Sequence, residues 1–149
     1  LSTLRIEMGH VAGSELDGRT IPYDNALEGL VSKKKDFIGK RSLLRSAFTA
    51  ENRQRIVGVV PIDKKTSIPE GSHLVKDANA PLPNPKLGHI SASCWSVEYD
   101  NPFSLAILKD GKNMIGEKLF VMSPLKNKVI PVEIVSSHYV DPKGERVRS

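Results

Sequence analysis

The chain has 149 residues, a formal net charge of +5, 39% hydrophobic residues and 26% charged residues. That length suits one domain or one and a half, and the composition is typical of a packed globular core rather than general disorder. No run of about 18 apolar residues is present, so we expect no membrane-spanning helix and no membrane partner.

The first residues lack the features of a secretory signal. Leu1 is not a methionine, and no basic stretch followed by an apolar stretch opens the chain, so we expect a segment of a longer protein. The single cysteine, Cys94, excludes an intramolecular disulfide. A reducing, cytoplasmic compartment is therefore expected.

Residues 2–8 predict a short helix, with Ser2 as a possible N-cap and Gly9 as its stop. The glycines, aspartates and proline of residues 12–30 indicate a long irregular loop. Residues 29–31, Gly-Leu-Val, predict a short strand at the end of this loop.

Positive charge is concentrated in residues 33–45. This window has six basic residues and one acid, Asp36, so it accounts for the whole net charge and the rest of the chain is neutral. The basic residues are Lys33, Lys34, Lys35, Lys40, Arg41 and Arg45. We expect an amphipathic helix that runs to Phe48, with the cations on its solvated side. It would begin at Asp36 as its cap, or only after Gly39, which costs a helix about 1 kcal/mol against alanine.

From Arg55 onward, short β-rich runs alternate with turn residues. The runs are residues 55–62, 72–76, 87–95, 103–109, 117–123 and 129–135. Strands at this spacing without long helices indicate an antiparallel sandwich or small barrel. We therefore predict a mainly β chain: a C-terminal antiparallel β-barrel after a helix/loop segment, with a polar, loose tail at residues 141–149.

No catalytic or metal site follows from the residues alone. The four histidines, His10, His73, His89 and His138, lack ligand spacing, so no metal site is predicted. Cys94 lies in a predicted strand without a cation to activate it. The early acids Glu7, Glu15, Asp17 and Asp24 are possible general bases, but their spacing selects none of them.

Two non-enzymatic alternatives stay open at this point. One is a nucleic-acid-binding barrel, although a single basic window and only 5% aromatic residues make nucleic acid an unexpected partner. The other is a non-catalytic assembly barrel, which would expose apolar surface where its neighbours pack.

Three stretches in order carry a family resemblance: LRIEMGHVAGSELDGRTIPYD (residues 4–24), LVSKKKDFIGKRSL (residues 30–43) and GHISASCWSVEYDNPFSLAIL (residues 88–108). Together they resemble the C-terminal part of the glycine-cleavage T-protein, a tetrahydrofolate-dependent aminomethyltransferase. The first two stretches are more similar to the folate-binding part of the alpha subunit of heterotetrameric sarcosine oxidase. The resemblance spans nearly the whole chain.

The resemblance implies a parent enzyme that oxidises sarcosine to glycine on a flavin and passes the one-carbon unit to tetrahydrofolate. Its flavin and NAD sites, and the acid that catalyses the folate step, would lie outside this chain, so no catalytic residue is assigned and the segment alone is expected to be inactive. Residues 1–50 would end the middle folate-binding subdomain, a mixed α+β unit, and residues 51–140 would form the terminal barrel. The expected partners are other subunits of a hetero-oligomeric oxidase and tetrahydrofolate or its polyglutamate.

The resemblance also implies three residues near the folate channel: Tyr23, Asp24 and Trp95. For Trp95 the competing interpretation, a packing aromatic, is favoured because large aromatic side chains mostly serve packing. The cations of residues 33–45 have three possible roles: a solvated surface, a contact with other subunits, or binding of the anionic folate tail.

Overall fold

The computed structural model describes residues 1–81, 83–146 and 148. Six antiparallel strands close into a barrel in the order β1-β4-β3-β2-β5-β6, and β6 pairs back onto β1. The strands are β1 (Gln54–Pro61), β2 (His73–Val75), β3 (Lys86–Ser96), β4 (Asn101–Lys109), β5 (Lys118–Ser123) and β6 (Lys128–Val135). The predicted β-barrel and the predicted strand runs are thereby confirmed.

The helical elements are short. Two α-helices, α1 (Ser2–Glu7) and α2 (Ser46–Thr49), precede the barrel. Three 3-10 helices cover Glu28–Leu30, Ser42–Leu44 and Pro124–Lys126. None of the helices in the described part of the chain is long and apolar enough to cross a membrane.

Alternating side chains fill the barrel interior. In β6, Ile130, Val132 and Ile134 point inward and are buried, whereas Val129 and Glu133 are exposed, as expected for a strand with one face in solvent. The interior cluster consists of Val57, Val59, Ile68, Leu74, Ile90, Ala106, Leu108, Leu119, Val121, Ile130, Val132 and Ile134.

A second core lies on the outside of the barrel, over β1, β3 and β4. Strand β4 is buried along both faces, from Asn101 to Leu108. Its outward side chains pack with α1 and with the chain that follows β6, in a cluster of Ile6, Ile56, Val60, Ala92, Phe103, Leu105 and Ile107. The rings of Phe103 and Tyr139 stack with centroids 4.3 Å apart. The N-terminal segment is thus fixed on one side of the barrel.

Gly58 allows a close approach on that side. A Cβ at this position would lie 2.4 Å from the Ser136 carbonyl oxygen and 2.7 Å from the Phe103 ring. Only a residue without a side chain fits between β1 and the chain after β6.

The predicted strand at residues 29–31 is wrong. The structure forms the 3-10 helix Glu28–Leu30 instead, and only Val31, which caps it, is extended. No neighbouring strand pairs with this stretch in the described chain, so its backbone bonds close locally, from Leu30 to Leu27 and from Val31 to Glu28.

The predicted helix from Asp36 to Phe48 is also wrong. Gly39 adopts a left-handed φ of +94°, and Arg45 is extended at ψ 143°, so the stretch is divided into turns, one 3-10 helix and α2. Within the described residues no helix begins immediately after Asp36, and its carboxylate pairs instead with Lys40 at 2.9 Å. The side chains expected on one helical face therefore do not form such a face.

The predicted tail includes residues 147 and 149, which lie outside the described residues. Within the rest of it, Asp141 accepts hydrogen bonds from the backbone N–H groups of Glu145 and Arg146. The Arg146 guanidinium also bonds Glu98 at 2.7 Å. These contacts place residues 141–146 beside the β3–β4 turn.

Candidate functional site

Glu7, the last residue of α1, joins three parts of the chain. Its buried carboxylate accepts hydrogen bonds from Ser96 Oγ at 2.6 Å and from the Val97 N–H at 2.9 Å. Its backbone carbonyl accepts the N–H groups of Tyr139 and Val140 at 3.1 and 3.0 Å. Glu7 therefore holds the helix against the β3–β4 turn and the chain after β6, and its carboxylate is committed to that role.

Glu15 is a second buried acid with internal partners. Its Oε2 atom accepts the Ala12 N–H at 2.7 Å and lies 3.3 Å from the Arg5 guanidinium. Burial raises the pKa of Glu15, but the Ala12 hydrogen bond and other bonds and charges, including that of Arg5, outweigh burial and hold this pKa below its ordinary value. The carboxylate stays ionised and stabilises the loop after α1.

Asp24, one of the three predicted folate residues, is almost completely buried. Its two oxygens accept a pair of hydrogen bonds from Arg53, at 2.7 and 2.6 Å, and a third from the Ile21 N–H at 3.0 Å. Its backbone carbonyl accepts the Ile56 N–H of β1 at 2.6 Å. Asp24 is thus a positioning residue that fixes the loop to the start of the barrel.

Tyr23, the second predicted residue, lies where this loop meets an open groove. Its carbonyl accepts a hydrogen bond from Arg55 at 3.0 Å, and Arg55 also pairs with Glu28 at 2.7 Å. The half-buried Tyr23 side chain lines the groove. Two adjacent residues therefore have different roles, since Asp24 points into the protein and Tyr23 borders solvent.

This groove, formed by residues 23–44, is called the basic groove below. It has a volume of about 940 Å³. Lysines 33–35 and Lys40 line it together with apolar Val31, Phe37, Leu43 and Leu44. A neighbouring cavity of about 410 Å³ shares Val31, Phe37 and Leu43 and adds Leu27 and Leu30. The groove thus combines cations with apolar surface.

Trp95, the third predicted residue, lies at the end of β3. Its side chain is 48% exposed, and its indole N–H donates to Asp100 Oδ1 at 3.0 Å. The hydrogen bond satisfies the polar atom of the ring and fixes its position, while part of the ring stays open to solvent. Such a ring can stack on a flat aromatic ligand.

The structure does not bring the three residues into one compact site. Trp95 pairs with Pro102, whereas Ile56, which bonds Asp24, pairs with Ile107. These positions are five residues apart on β4, or about 17 Å along the strand. Tyr23 and Asp24 therefore lie near one end of β4 and Trp95 near the other.

A second basic cleft was not found from the sequence. It has a volume of about 540 Å³ and is lined by Arg19, Arg53, Lys86, His89 and Lys109 among others. Burial, the charge of Lys86 and the neighbouring His73 lower the pKa of His89. These residues are distant in sequence and meet only because β3, β4 and the loop before β1 converge, so no local motif could have revealed them.

Cys94 and the histidines show no arrangement for catalysis or metal binding. Burial raises the pKa of the Cys94 thiol to about 11, and the nearby Glu7 charge acts in the same direction. Within residues 1–81, 83–146 and 148, no group of three or more histidine, cysteine, aspartate or glutamate residues could hold a metal ion. The thiol is thus a packing group on the outer core.

Known proteins resemble the chain along nearly its whole length. It is 39% identical over 149 residues to the sarcosine oxidase subunit alpha of Rhizobium meliloti (strain 1021), which covers 99% of this chain and 15% of that protein. An aminomethyltransferase of Synechococcus sp. (strain CC9902) is 28% identical over 137 residues, or 89% of this chain and 34% of that protein. No family model matches the chain.

The chain belongs to the family of sarcosine oxidase alpha subunits. The resemblance predicted from the sequence is confirmed, and the identity to the sarcosine oxidase alpha subunit exceeds that to the aminomethyltransferase. The chain spans about 15% of the length of the alpha subunit that it matches.

A solved structure shows the same fold. The crystal structure of glycine cleavage system aminomethyltransferase T from Bartonella henselae matches with a TM-score of 0.73 at 21% identity. The match covers 95% of this chain and 38% of that protein. It therefore includes both the barrel and the N-terminal segment that carries Tyr23 and the basic groove.

Proposed function

We propose that this chain is the barrel segment of the folate-binding unit in an alpha subunit of the sarcosine oxidase type. The parent protein would demethylate sarcosine oxidatively to glycine and pass the one-carbon unit to tetrahydrofolate. The observation that carries the proposal is the 39% identity to a sarcosine oxidase alpha subunit over the whole chain. The barrel fold, shared with an aminomethyltransferase, supports it.

The residues present fit a supporting role toward tetrahydrofolate. Trp95 offers a partly exposed ring held by Asp100, and Tyr23 also lines a separate cavity with Phe48 and Arg55, away from lysines 33–35. Asp24 does not fit direct binding, because both of its oxygens are engaged by Arg53 and Ile21. In this proposal Trp95 or Tyr23 contacts an extended folate. Asp24 does not contact the folate but fixes the backbone next to Tyr23.

The chemistry itself belongs elsewhere in the parent protein. When bound, tetrahydrofolate would accept the one-carbon unit as its 5,10-methylene form. This chain contributes binding surface and orientation: its buried acids Glu7, Glu15 and Asp24 hold the folded segment together. The flavin and NAD sites lie outside the chain in this proposal, and so do the catalytic residues, so the isolated segment is inactive.

The proposed domain division is the one that the resemblance implies. Residues 1–50 end the preceding folate-binding subdomain, and residues 51–140 form the barrel, with 141–149 as a tail. The parent protein would act in the cytoplasm, together with other subunits of the oxidase and with tetrahydrofolate or its polyglutamate as partners.

A second candidate is an aminomethyltransferase of the glycine cleavage system. The observation in its favour is the shared fold at a TM-score of 0.73, together with 28% identity to an aminomethyltransferase. The two candidates differ in the first step, because only the oxidase consumes sarcosine.

Folate binding can be tested on the chain through its single tryptophan. Since Trp95 is the only tryptophan, emission excited near 295 nm reports on that side chain alone. We expect 5-formyltetrahydrofolate to quench this emission saturably, and Tyr23→Ala to weaken the binding if both residues contact the ligand. Linear quenching equal to that of free tryptophan would contradict a folate contact at Trp95.

A further inference from the structure

The basic groove carries apolar side chains that neither core contains. Leu44 of the groove is 75% exposed, and Leu30 of the neighbouring cavity is 80% exposed. The two adjoining cavities share Val31, Phe37 and Leu43 as lining. An exposed apolar surface of this kind is typical of an interaction site rather than of an ordinary solvent-exposed surface.

The groove segment, residues 28–44, makes few hydrogen bonds to the barrel, whereas Tyr23 and Asp24 at the other end of the groove are bonded to β1. Among the hydrogen bonds between described residues, one links residues 28–44 to a barrel strand: the side-chain bond from Arg55 to Glu28. The bonds of Lys40 stay inside the segment, to Asp36 and to the Lys35 carbonyl. Leu30 and Leu44 stay exposed in this arrangement, so a partner surface that covers them would bury apolar area.

The charge around the groove indicates the chemistry of that surface. The ammonium groups of lysines 33–35 are exposed and have no ion-pair partner within the described residues, whereas Asp36 already pairs with Lys40. The rim of the groove therefore carries positive charge that no described acidic side chain neutralises, and the residues that line the groove include several apolar ones. A complementary surface would present acidic residues around apolar anchors.

We propose that the basic groove is the docking surface for another subunit of the oxidase, which inserts an apolar segment flanked by aspartate or glutamate residues. This inference rests on the proposed function, since it assumes a multi-subunit enzyme. Phe37, Leu43 and Leu44 would receive the apolar anchors, and lysines 33–35 would face the acidic flanks.

The distribution of charge favours a separate polypeptide over the rest of the same chain. The window of residues 33–45 carries the whole net charge of +5. Concentrated charge accelerates the encounter of molecules that must find each other by diffusion. Segments of one polypeptide are already tethered, so steering gives them no comparable advantage.

Hydrogen exchange in the full-length protein tests the inference. The amides of residues 31–44 are measured in the isolated alpha polypeptide and in the complex with its partner subunits. We expect exchange to slow by about tenfold or more only in the complex, because docking excludes water and orders the segment. Protection already present in the isolated polypeptide would show that its own chain covers the groove, and would overturn the proposal. Fast exchange in both the isolated polypeptide and the complex would also overturn the proposal.

A charge-reversal variant gives an independent readout. Lys33→Glu/Lys34→Glu/Lys35→Glu should weaken subunit association by about tenfold or more at low salt, with a smaller effect at high salt. The matched control reverses three exposed lysines of the β5–β6 hairpin, Lys118, Lys126 and Lys128, and should leave association unchanged. Equal effects of both variants would overturn the docking site, because they would reflect net charge alone.

Two further outcomes separate this inference from the proposed function. Sarcosine turnover that persists while residues 31–44 stay unprotected in the complex would remove the docking site and leave the function intact. If the parent protein neither oxidises sarcosine nor binds partner subunits, both the docking site and the proposed function are refuted.

A third outcome concerns folate. Protection of the groove by a tetrahydrofolate polyglutamate in the isolated polypeptide, lost in the lysine 33–35 variant, would assign the groove to the folate tail and overturn subunit docking.

Discussion

Substitution of Asp24 by alanine should destabilise the fold far more than substitution of an exposed acid in the same loop. Asp24 is 1% exposed, and its carboxylate receives two bonds from Arg53 and one from the Ile21 amide. The substitution leaves the guanidinium of Arg53, whose side chain is only 21% exposed, without its counterion. It also leaves the Ile21 amide without its acceptor.

The expected loss is about 2–4 kcal/mol of unfolding free energy. Removing one partner of a fully buried ion pair costs about 3–5 kcal/mol. The partial exposure of Arg53 reduces this, because water can solvate part of the released charge. With a urea slope of about 2 kcal/mol per M, the unfolding midpoint should fall by about 1–2 M.

Urea unfolding followed by circular dichroism and by Trp95 emission measures this loss. Asp17→Ala is the matched control, because Asp17 pairs with Arg19 at the surface, where screening by water leaves little net stabilisation. Asp24→Asn should fall between wild type and Asp24→Ala, since an amide keeps one acceptor. Equal midpoints for Asp24→Ala and Asp17→Ala would refute the positioning role of Asp24.

Three further predictions concern other parts of the fold. Gly58→Ala should cost about 1–3 kcal/mol in urea unfolding, because the new Cβ would overlap the Ser136 carbonyl, whereas Gly13→Ala, with open space around it, should change stability little. Cys94 should react with a disulfide reagent at pH 8 about a hundredfold more slowly in the folded chain than in urea, since its pKa is raised to about 11; equal rates would contradict its burial. The folded-state pKa of Glu15 is lowered, so its contribution to stability is present above its ordinary pKa of 4.5 and disappears as pH falls through the folded value. The stability difference between wild type and Glu15→Gln should therefore shrink on acidification, and a difference that is constant with pH would show that the charge of Glu15 is not involved.

The barrel could be predicted from the sequence because its signals are local. Each strand is a short β-rich run between turn residues, and β6 even alternates inward Ile130, Val132 and Ile134 with outward side chains. By contrast, the helix expected after Asp36 fails at Gly39, whose left-handed φ ends the helical path. A glycine permits that conformation but does not require it, so the pattern alone could not decide.

The site was less accessible to prediction, because its defining contacts are long-range. Asp24 was placed near the folate channel by resemblance, but its partner Arg53 lies 29 residues away. Glu7 meets Ser96 across 89 residues. Nothing in the spacing of the early acids distinguishes these buried carboxylates from the exposed Asp17; only the packing of the N-terminal segment on β4 does so.

One-carbon transfer by the full-length protein with its partner subunits is the most direct test of the proposed function. Sarcosine is supplied with and without tetrahydrofolate, and glycine, formaldehyde and 5,10-methylenetetrahydrofolate are quantified. We expect glycine to form in both cases. With tetrahydrofolate present, 5,10-methylenetetrahydrofolate should replace formaldehyde as the one-carbon product. No oxidation of sarcosine, or free formaldehyde that is unaffected by tetrahydrofolate, would contradict it.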